Sequence, residues 1–213
     1  MKLIIFDLDG TLVNSLDDLA DAANFALDKL GYPIHDVEKY KYFVGDGIPK
    51  LIERILPDDK CSEKNIQEVK SEFDNRYREH YLDKTVPYDG IKSLLVELKK
   101  CGCKLAVATN KPDEFAQNIV IRLFGDVFDK VIGKRDFANK KPDPDIIYEI
   151  MDTLSCCKED TVMIGDSNVD VYTAQNAGIC SIGCLWGFRT ADELIEAGAD
   201  CLVSSPTEIL KCI

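Results

Sequence analysis

The sequence reads LIIF at Leu3–Phe6 and continues at once with DLDGT at Asp7–Thr11. Four apolar residues followed by acids and a glycine are typical of a buried strand that ends in a turn. Two carboxylates this close repel each other and favour a cation beside them. Mg²⁺ fits, because it takes oxygen ligands and retains water and phosphate oxygens in its shell. A solvated acidic turn is the alternative reading of the same residues.

Five further apolar runs of this kind follow, each closed by polar residues or glycine: Lys104–Ala108, Lys130–Ile132, Val162–Ile164, Ile179–Ile182 and Cys201–Val203. Helical patterns lie between most of them, as at Ile91–Lys100 and Asp143–Leu154. This alternation predicts an α/β fold, a doubly wound parallel sheet with helices on both faces. Ligands bind such sheets beyond the carboxyl ends of the strands, so the residues after each run are candidates for function.

One region interrupts the alternation and reads as entirely helical. We predict its helices at Leu16–Leu30, Asp36–Phe43, Ile48–Leu56 and Ser62–Leu82, with glycines and prolines between them. The sequence therefore predicts two domains: an α/β core from residues 1–13 and 86–213, and an all-helical insertion at residues 14–85.

Composition limits the classes of partner. Among 213 residues, 38 acids and 26 bases give a formal net charge of -12. This balance argues against nucleic acid and anionic membranes as partners, since both favour clustered Lys and Arg. No apolar run approaches the ~20 residues of a membrane span, and the first run is too short for a signal peptide. We expect a cytoplasmic protein, monomeric or homodimeric, whose nine cysteines are free, buried or half-buried thiols.

Three more polar motifs fall near predicted strand ends or helix starts. Thr109 and Asn110 suit a phosphoryl group, although a helix N-cap would look the same. Lys141 could neutralise a phosphate as a point charge, or be a surface residue. Asp166 and Asp170 follow the run Val162–Ile164 and form a second acidic cluster, or an acidic N-cap.

In this order, the motifs resemble those of the haloacid dehalogenase superfamily. The resemblance rests on Asp7–Val13, Thr109–Asn110, Lys141–Pro142 and Gly165–Asp170, and the helical insertion resembles that superfamily's cap domain. Within the superfamily the sequence is most similar to phosphoglycolate phosphatases, as at Phe43–Gly47 (FVGDG) and Pro87–Gly90 (PYDG). The resemblance implies a Rossmann-like core that hydrolyses phosphomonoesters of small metabolites with Mg²⁺.

The resemblance also implies a role for each motif. Asp7 would be the nucleophile that forms an aspartyl-phosphate, and Asp9 the acid and base. The Asp7 carboxylate, the Asp9 backbone carbonyl and Asp166 would hold Mg²⁺. Phosphoryl oxygens would be bound by Thr109, the Asn110 amide and Lys141, with Asp170 orienting Lys141.

The helical cap would close over the site and recognise the leaving group. Its candidate specificity residues are Gly47, in the Gly45–Gly47 loop, and the two cations Lys50 and Arg54. Either cation could pair the carboxylate of phosphoglycolate. Three functions remain as alternatives: a pyrophosphatase or nucleotide phosphatase, a mutase similar to β-phosphoglucomutase, and a non-catalytic phosphate-binding module. A Ser/His/Asp hydrolase is not supported, since His35 and His80 both lie in the helical region.

Overall fold

The computed structural model describes residues 2–213. Its strands are β1 Leu3–Phe6, β2 Val13–Asn14, β3 Val86–Pro87, β4 Lys104–Pro112, β5 Lys130–Lys134, β6 Thr161–Gly165, β7 Cys180–Cys184 and β8 Cys201–Val203. Its α-helices are α1 Leu16–Lys29, α2 Tyr40–Phe43, α3 Ile48–Ile55, α4 Glu63–His80, α5 Ile91–Lys100, α6 Asp113–Phe124, α7 Asp145–Leu154, α8 Asn168–Ala177, α9 Ala191–Ala197 and α10 Ile209–Cys212.

The chain divides into two compact units. One contains residues 1–13 and 87–213, and the other contains residues 14–86. The sequence placed the second crossing one residue earlier, at 85/86. Within residues 2–213, no helix is long and apolar enough to span a membrane.

The first unit is built on a six-stranded sheet with the order β5-β4-β1-β6-β7-β8. Every neighbouring pair in it is parallel. From β1 the chain adds β4 and β5 on one side and then returns to add β6, β7 and β8 on the other. This reversal puts the switch point of the sheet at the carboxyl end of β1, where α/β proteins bind ligands. The predicted doubly wound α/β core is confirmed.

Successive side chains of the central strands point to opposite faces of the sheet, and both faces are buried. Leu3 and Ile5 of β1 pack in one cluster with Ile147 and Ile150 of α7. Phe6, on the other face, is also fully buried. A strand covered on both faces needs apolar residues at every position, which explains why LIIF is a continuous apolar run.

The second unit is a helical unit held by α1, α3 and α4. Its centre includes Phe73 and Tyr77, whose rings stack at 5.3 Å between centroids. The chain leaves this unit past Asp18, whose buried carboxylate accepts hydrogen bonds from the backbone N–H groups of Lys84 and Thr85. Because these donors come from the end of the unit, Asp18 fixes the exit of the chain against α1.

The helical segment predicted at Asp36–Phe43 is present, as a 3-10 turn at Val37–Lys39 followed directly by the short α2, which ends before Gly45. Two other expectations about local structure are wrong. The strand predicted to end at Ala108 continues to Pro112 with a shift of register. Of the nine cysteines, five are exposed: Cys61, Cys101, Cys157, Cys180 and Cys212. Their thiols are small enough to be tolerated at the surface.

Candidate active site

Asp7 and Asp9 lie on the tight turn that follows β1. The turn is closed by the Gly10 N–H, which donates to the Val13 carbonyl at 2.9 Å. Gly10 has a φ of +86°, and a Cβ at this position would collide with the Asp166 carboxylate. Glycine is therefore required twice over here, for the backbone conformation and for the close approach of an acid.

Lys141 lies buried between two carboxylates. Its Nζ is 2.9 Å from Asp7 Oδ1 and 2.6 Å from Asp170 Oδ1, and its side chain is 2% exposed. Burial alone would lower the pKa of Lys141, but the negative charges of Asp170 and Asp7 and the hydrogen bond to Asp170 raise it overall. The ammonium is therefore charged, and it faces the carboxylate proposed as the nucleophile.

Asn110 fixes the backbone of Lys141. The Asn110 side-chain amide donates to the Lys141 carbonyl at 3.1 Å and accepts from the Lys141 N–H at 2.8 Å. Thr109 and Asn110 were expected between a strand end and a helix start, but both belong to the extended β4. The register shift in β4 falls at these residues, and such bulges redirect side chains near functional sites.

Asp166 follows β6 and is held from two sides. Its Oδ1 accepts from the Thr11 hydroxyl at 3.0 Å, and its Oδ2 accepts from the Phe188 N–H at 2.8 Å. Asp170 lies in the first turn of α8, where its Oδ2 accepts from the N–H and hydroxyl of Ser167. Each carboxylate is thus oriented by neighbours that are themselves buried.

The acidic groups of this site are poised for a cation. Carboxylate oxygens of Asp7, Asp166 and Asp170 lie within 4.8 Å of one another. The pKa of Asp7 is raised to about 6 and that of Asp166 to about 8. Burial is the largest cause of both shifts and the charge of Asp170 contributes to both, while Lys141 partly opposes the shift of Asp7. Without a metal, burial disfavours the charged forms of these acids. A bound divalent cation would favour the charged forms instead.

One buried oxygen is under-satisfied in the same place. Asp7 Oδ1 forms an ion pair with Lys141, yet within residues 2–213 no donor reaches it in hydrogen-bond geometry. The donor set consists of carboxylate oxygens only, which suits a hard cation such as Mg²⁺ rather than zinc. The residues present therefore fit the metal that the sequence predicted.

Lys111 is a site residue that the sequence analysis missed. Its Nζ lies 2.9 Å from Asp9 Oδ1 and 3.0 Å from Oδ2, and its side chain is only 3% exposed. The sequence read Lys111 as the start of a helix, whereas it belongs to β4, two residues after Thr109. The contact joins residues 102 apart in sequence, so no local pattern in the sequence could have revealed it.

Two aromatic residues near this turn were also missed. The Trp186 indole N–H donates to the Thr11 carbonyl at 3.0 Å, which ties the segment after β7 to the turn after β1. Burial raises the pKa of the Tyr88 hydroxyl, and the charges of Asp166 and Asp9 raise it further. Tyr88 is therefore a neutral hydrogen-bonding group close to the acids.

The predicted specificity residues belong to the helical unit. Gly47 has a φ of +87° and precedes α3, which carries Lys50 and Arg54. Lys50 pairs with Glu53 at 2.6 Å on the helix surface. Arg54 donates to Asp46 Oδ2 at 2.6 Å and to the Phe43 carbonyl at 3.0 Å, so its guanidinium already has an anionic partner within its own unit.

Comparison with known proteins agrees with this geometry. A family model described as haloacid dehalogenase-like hydrolase matches residues 4–184. The phosphoglycolate phosphatase of Psychrobacter arcticus is 35% identical, with 91% of this chain and 87% of the relative covered. That of Colwellia psychrerythraea is 34% identical, with 98% and 95% covered.

A solved structure extends the comparison to the whole fold. It is a candidate phosphoglycolate phosphatase from Lactobacillus delbrueckii subsp. bulgaricus, 31% identical, and it covers 100% of this chain and 99% of its own with a TM-score of 0.95. The family model and the curated relatives each span most of this chain. The chain therefore belongs to the haloacid dehalogenase-like hydrolases and is a phosphatase of that family.

Proposed function

We propose that this phosphatase is a Mg²⁺-dependent phosphomonoesterase that acts through an aspartyl-phosphate on Asp7, with phosphoglycolate as its substrate. The observation that carries the chemistry is the buried Lys141, which contacts Asp7 Oδ1 at 2.9 Å and holds that carboxylate at the switch point of the sheet. The substrate is supported by two relatives that are phosphoglycolate phosphatases. The alignment with this chain covers 87% of one and 95% of the other.

In the first step an Asp7 oxygen attacks phosphorus, and the bond from phosphorus to the ester oxygen breaks. Asp9, two residues further on the turn, gives its proton to the departing alkoxide. The phosphoryl oxygens are held by the Thr109 hydroxyl, the backbone N–H of Asn110 and the Lys141 ammonium. Lys141 is charged before the substrate arrives, so its attraction for the phosphoryl group costs no proton transfer.

In the second step Asp9 takes a proton from water, and the water oxygen attacks phosphorus. Phosphate leaves and the Asp7 carboxylate is restored. Mg²⁺, held by the Asp7 carboxylate, the Asp9 backbone carbonyl and Asp166, would offset the repulsion between Asp7 and the phosphoryl oxygens. Asp170 positions Lys141 through the 2.6 Å contact and has no step of its own.

A panel of small phosphoesters tests this function. The full-length protein is assayed with phosphoglycolate, sugar phosphates, nucleoside monophosphates and pyrophosphate, with Mg²⁺ and with excess chelator. We expect phosphoglycolate to have the highest kcat/KM, and all turnover to be lost in chelator. A higher kcat/KM for pyrophosphate or a nucleotide would replace the substrate proposed here, and full activity in chelator would remove the metal.

A further inference from the structure

The pair formed by Lys111 and Asp9 has no part in the steps above. Lys111 Nζ is within 3.0 Å of both carboxylate oxygens of Asp9, although one hydrogen bond would suffice to hold that side chain. Its own side chain is 3% exposed and that of Asp9 is 18% exposed. The ammonium is thus almost fully buried and lies against the more exposed Asp9.

A buried cation is costly unless an anion faces it. Lys141 already serves the nucleophile and Asp170, so the phosphoryl end of the site has its own ammonium. Lys111 adds a second one at the position of the proton donor. What lies against Asp9 during the reaction is the ester oxygen and the atoms next to it, which are the leaving group.

We propose that Lys111 is a specificity residue whose ammonium binds an anionic group of the leaving alcohol, and that this group is the carboxylate of a short hydroxy acid. The inference rests on the proposed function, because it takes Asp9 as the group that protonates the ester oxygen. In phosphoglycolate the carboxylate is attached to the carbon that bears this oxygen. A cation hydrogen-bonded to Asp9 is therefore within reach of it.

The chemistry of lysine suits this double contact. An ammonium group carries three donors on a flexible stem, so it can bridge the Asp9 carboxylate and a second carboxylate. The cap residues are less suited. Arg54 is engaged with Asp46 and Phe43, and Lys50 pairs with Glu53 at the surface.

The test compares substrates that differ only in the carboxylate. Phosphoglycolate and ethyl phosphate share the same phosphoester, but ethyl phosphate has a methyl group where phosphoglycolate has the carboxylate. The full-length protein with Mg²⁺ is measured as wild type, Lys111→Met and Lys111→Arg. Met keeps most of the length of the side chain without the charge, and Arg keeps the charge.

We expect Lys111→Met to lower kcat/KM for phosphoglycolate about 10- to 100-fold more than for ethyl phosphate, mainly through KM, as for the loss of one charged hydrogen bond. Lys111→Arg should restore most of the preference. Inhibition of p-nitrophenyl phosphate turnover by 3-phosphonopropionate, which cannot be hydrolysed, should weaken by a similar factor in Lys111→Met. Inhibition by propylphosphonate, which lacks the carboxylate, should not change.

Two results would overturn the inference and they differ in what else they overturn. If the wild type prefers phosphoglycolate but Lys111→Met loses equally on both substrates and both inhibitors, Lys111 acts only through Asp9 and the proposed function stands. If the wild type shows no preference for phosphoglycolate over ethyl phosphate, the proposed substrate fails together with the role of Lys111. Thermal denaturation of each variant verifies that it is folded.

Discussion

At the scale of the residue, Asp7 combines two opposed requirements. Burial and the neighbouring acids disfavour its charged form and raise its pKa to about 6, whereas Lys141 favours the charge. A nucleophile must be ionised and yet not be satisfied by its neighbours. An oxygen that has a cation at 2.9 Å but no donor in hydrogen-bond geometry meets that description among residues 2–213.

Asp7→Asn should abolish turnover and preserve the fold. The amide has nearly the shape of the carboxylate but is a poor nucleophile, so we expect kcat to fall below about 1% of the wild-type value. The substitution also removes one charge from the acidic cluster. In the absence of metal at pH 8, the thermal midpoint should therefore rise above that of the wild type. Residual kcat well above this level would refute the role of Asp7.

At the scale of the element, β4 organises more of the site than any other strand. Its extension to Pro112 carries Thr109, Asn110 and Lys111 in succession. The Asn110 side chain binds the backbone of Lys141, and Lys111 contacts Asp9. A bulge in one strand thereby connects the phosphoryl end of the site with the leaving-group end.

Asn110→Ala should impair catalysis by displacing Lys141. Two buried hydrogen bonds are lost and the Lys141 backbone groups lose these partners. The free energy of unfolding should therefore fall by about 1–3 kcal/mol. The kcat should fall for every phosphoester alike, because Lys141 contacts the group that all substrates share. Urea denaturation and kcat on phosphoglycolate and ethyl phosphate measure this, and a loss confined to one substrate would contradict it.

Arg54→Ala tests the role of α3 in the helical unit. The sequence favoured Arg54 as the residue that pairs the substrate carboxylate, but its contacts with Asp46 and Phe43 support the loop before α3. We therefore expect similar losses of kcat/KM on phosphoglycolate and ethyl phosphate. Lys50→Ala, on the same helix and half-exposed, is the control and should change little. A loss restricted to phosphoglycolate would return the carboxylate to Arg54.

At the scale of the whole molecule, the acidic cluster links stability to pH and to metal. The folded pKa values of Asp7 and Asp166, about 6 and about 8, lie above the ordinary 3.8. Between roughly pH 4 and 8 the folded state keeps protons that the unfolded state releases, so stability falls as pH rises. Burial is the largest cause of both shifts; the charge of Asp170 adds to both, and Lys141 opposes the shift of Asp7.

The metal-free protein should accordingly have a lower thermal midpoint at pH 8 than at pH 5.5. Excess Mg²⁺ should stabilise it more at pH 8, because at pH 5.5 the cation must displace protons from the cluster. Thermal denaturation with chelator and with Mg²⁺ at both pH values measures this. In the metal-free protein, Asp166→Asn should reduce the change of the thermal midpoint with pH. An unchanged slope in that variant would contradict the raised pKa of Asp166.

Periodicity predicted the sheet well, because its strands are buried on both faces and read as continuous apolar runs. The helix Ile91–Lys100 was predicted to the residue, since Gly90 and a basic last turn mark its ends. The end of β4 was not predicted, because Thr109–Lys111 are polar and lie where the pairing of β4 with β5 shifts register, which a local pattern cannot reveal. The missed contact of Lys111 follows from that one error, since residues 9 and 111 meet only through the parallel pairing of β1 and β4.

The central claim is that Asp7 carries the phosphoryl group, and a trapping experiment tests it most directly. The wild-type protein is mixed with phosphoglycolate and Mg²⁺, quenched in acid within the first turnovers and reduced with borohydride, which converts an acyl-phosphate to the alcohol. Peptide mass spectrometry should find homoserine at position 7, dependent on substrate and absent from Asp7→Asn. Rapid turnover with no homoserine at position 7, or with the modification at another residue, would contradict the account.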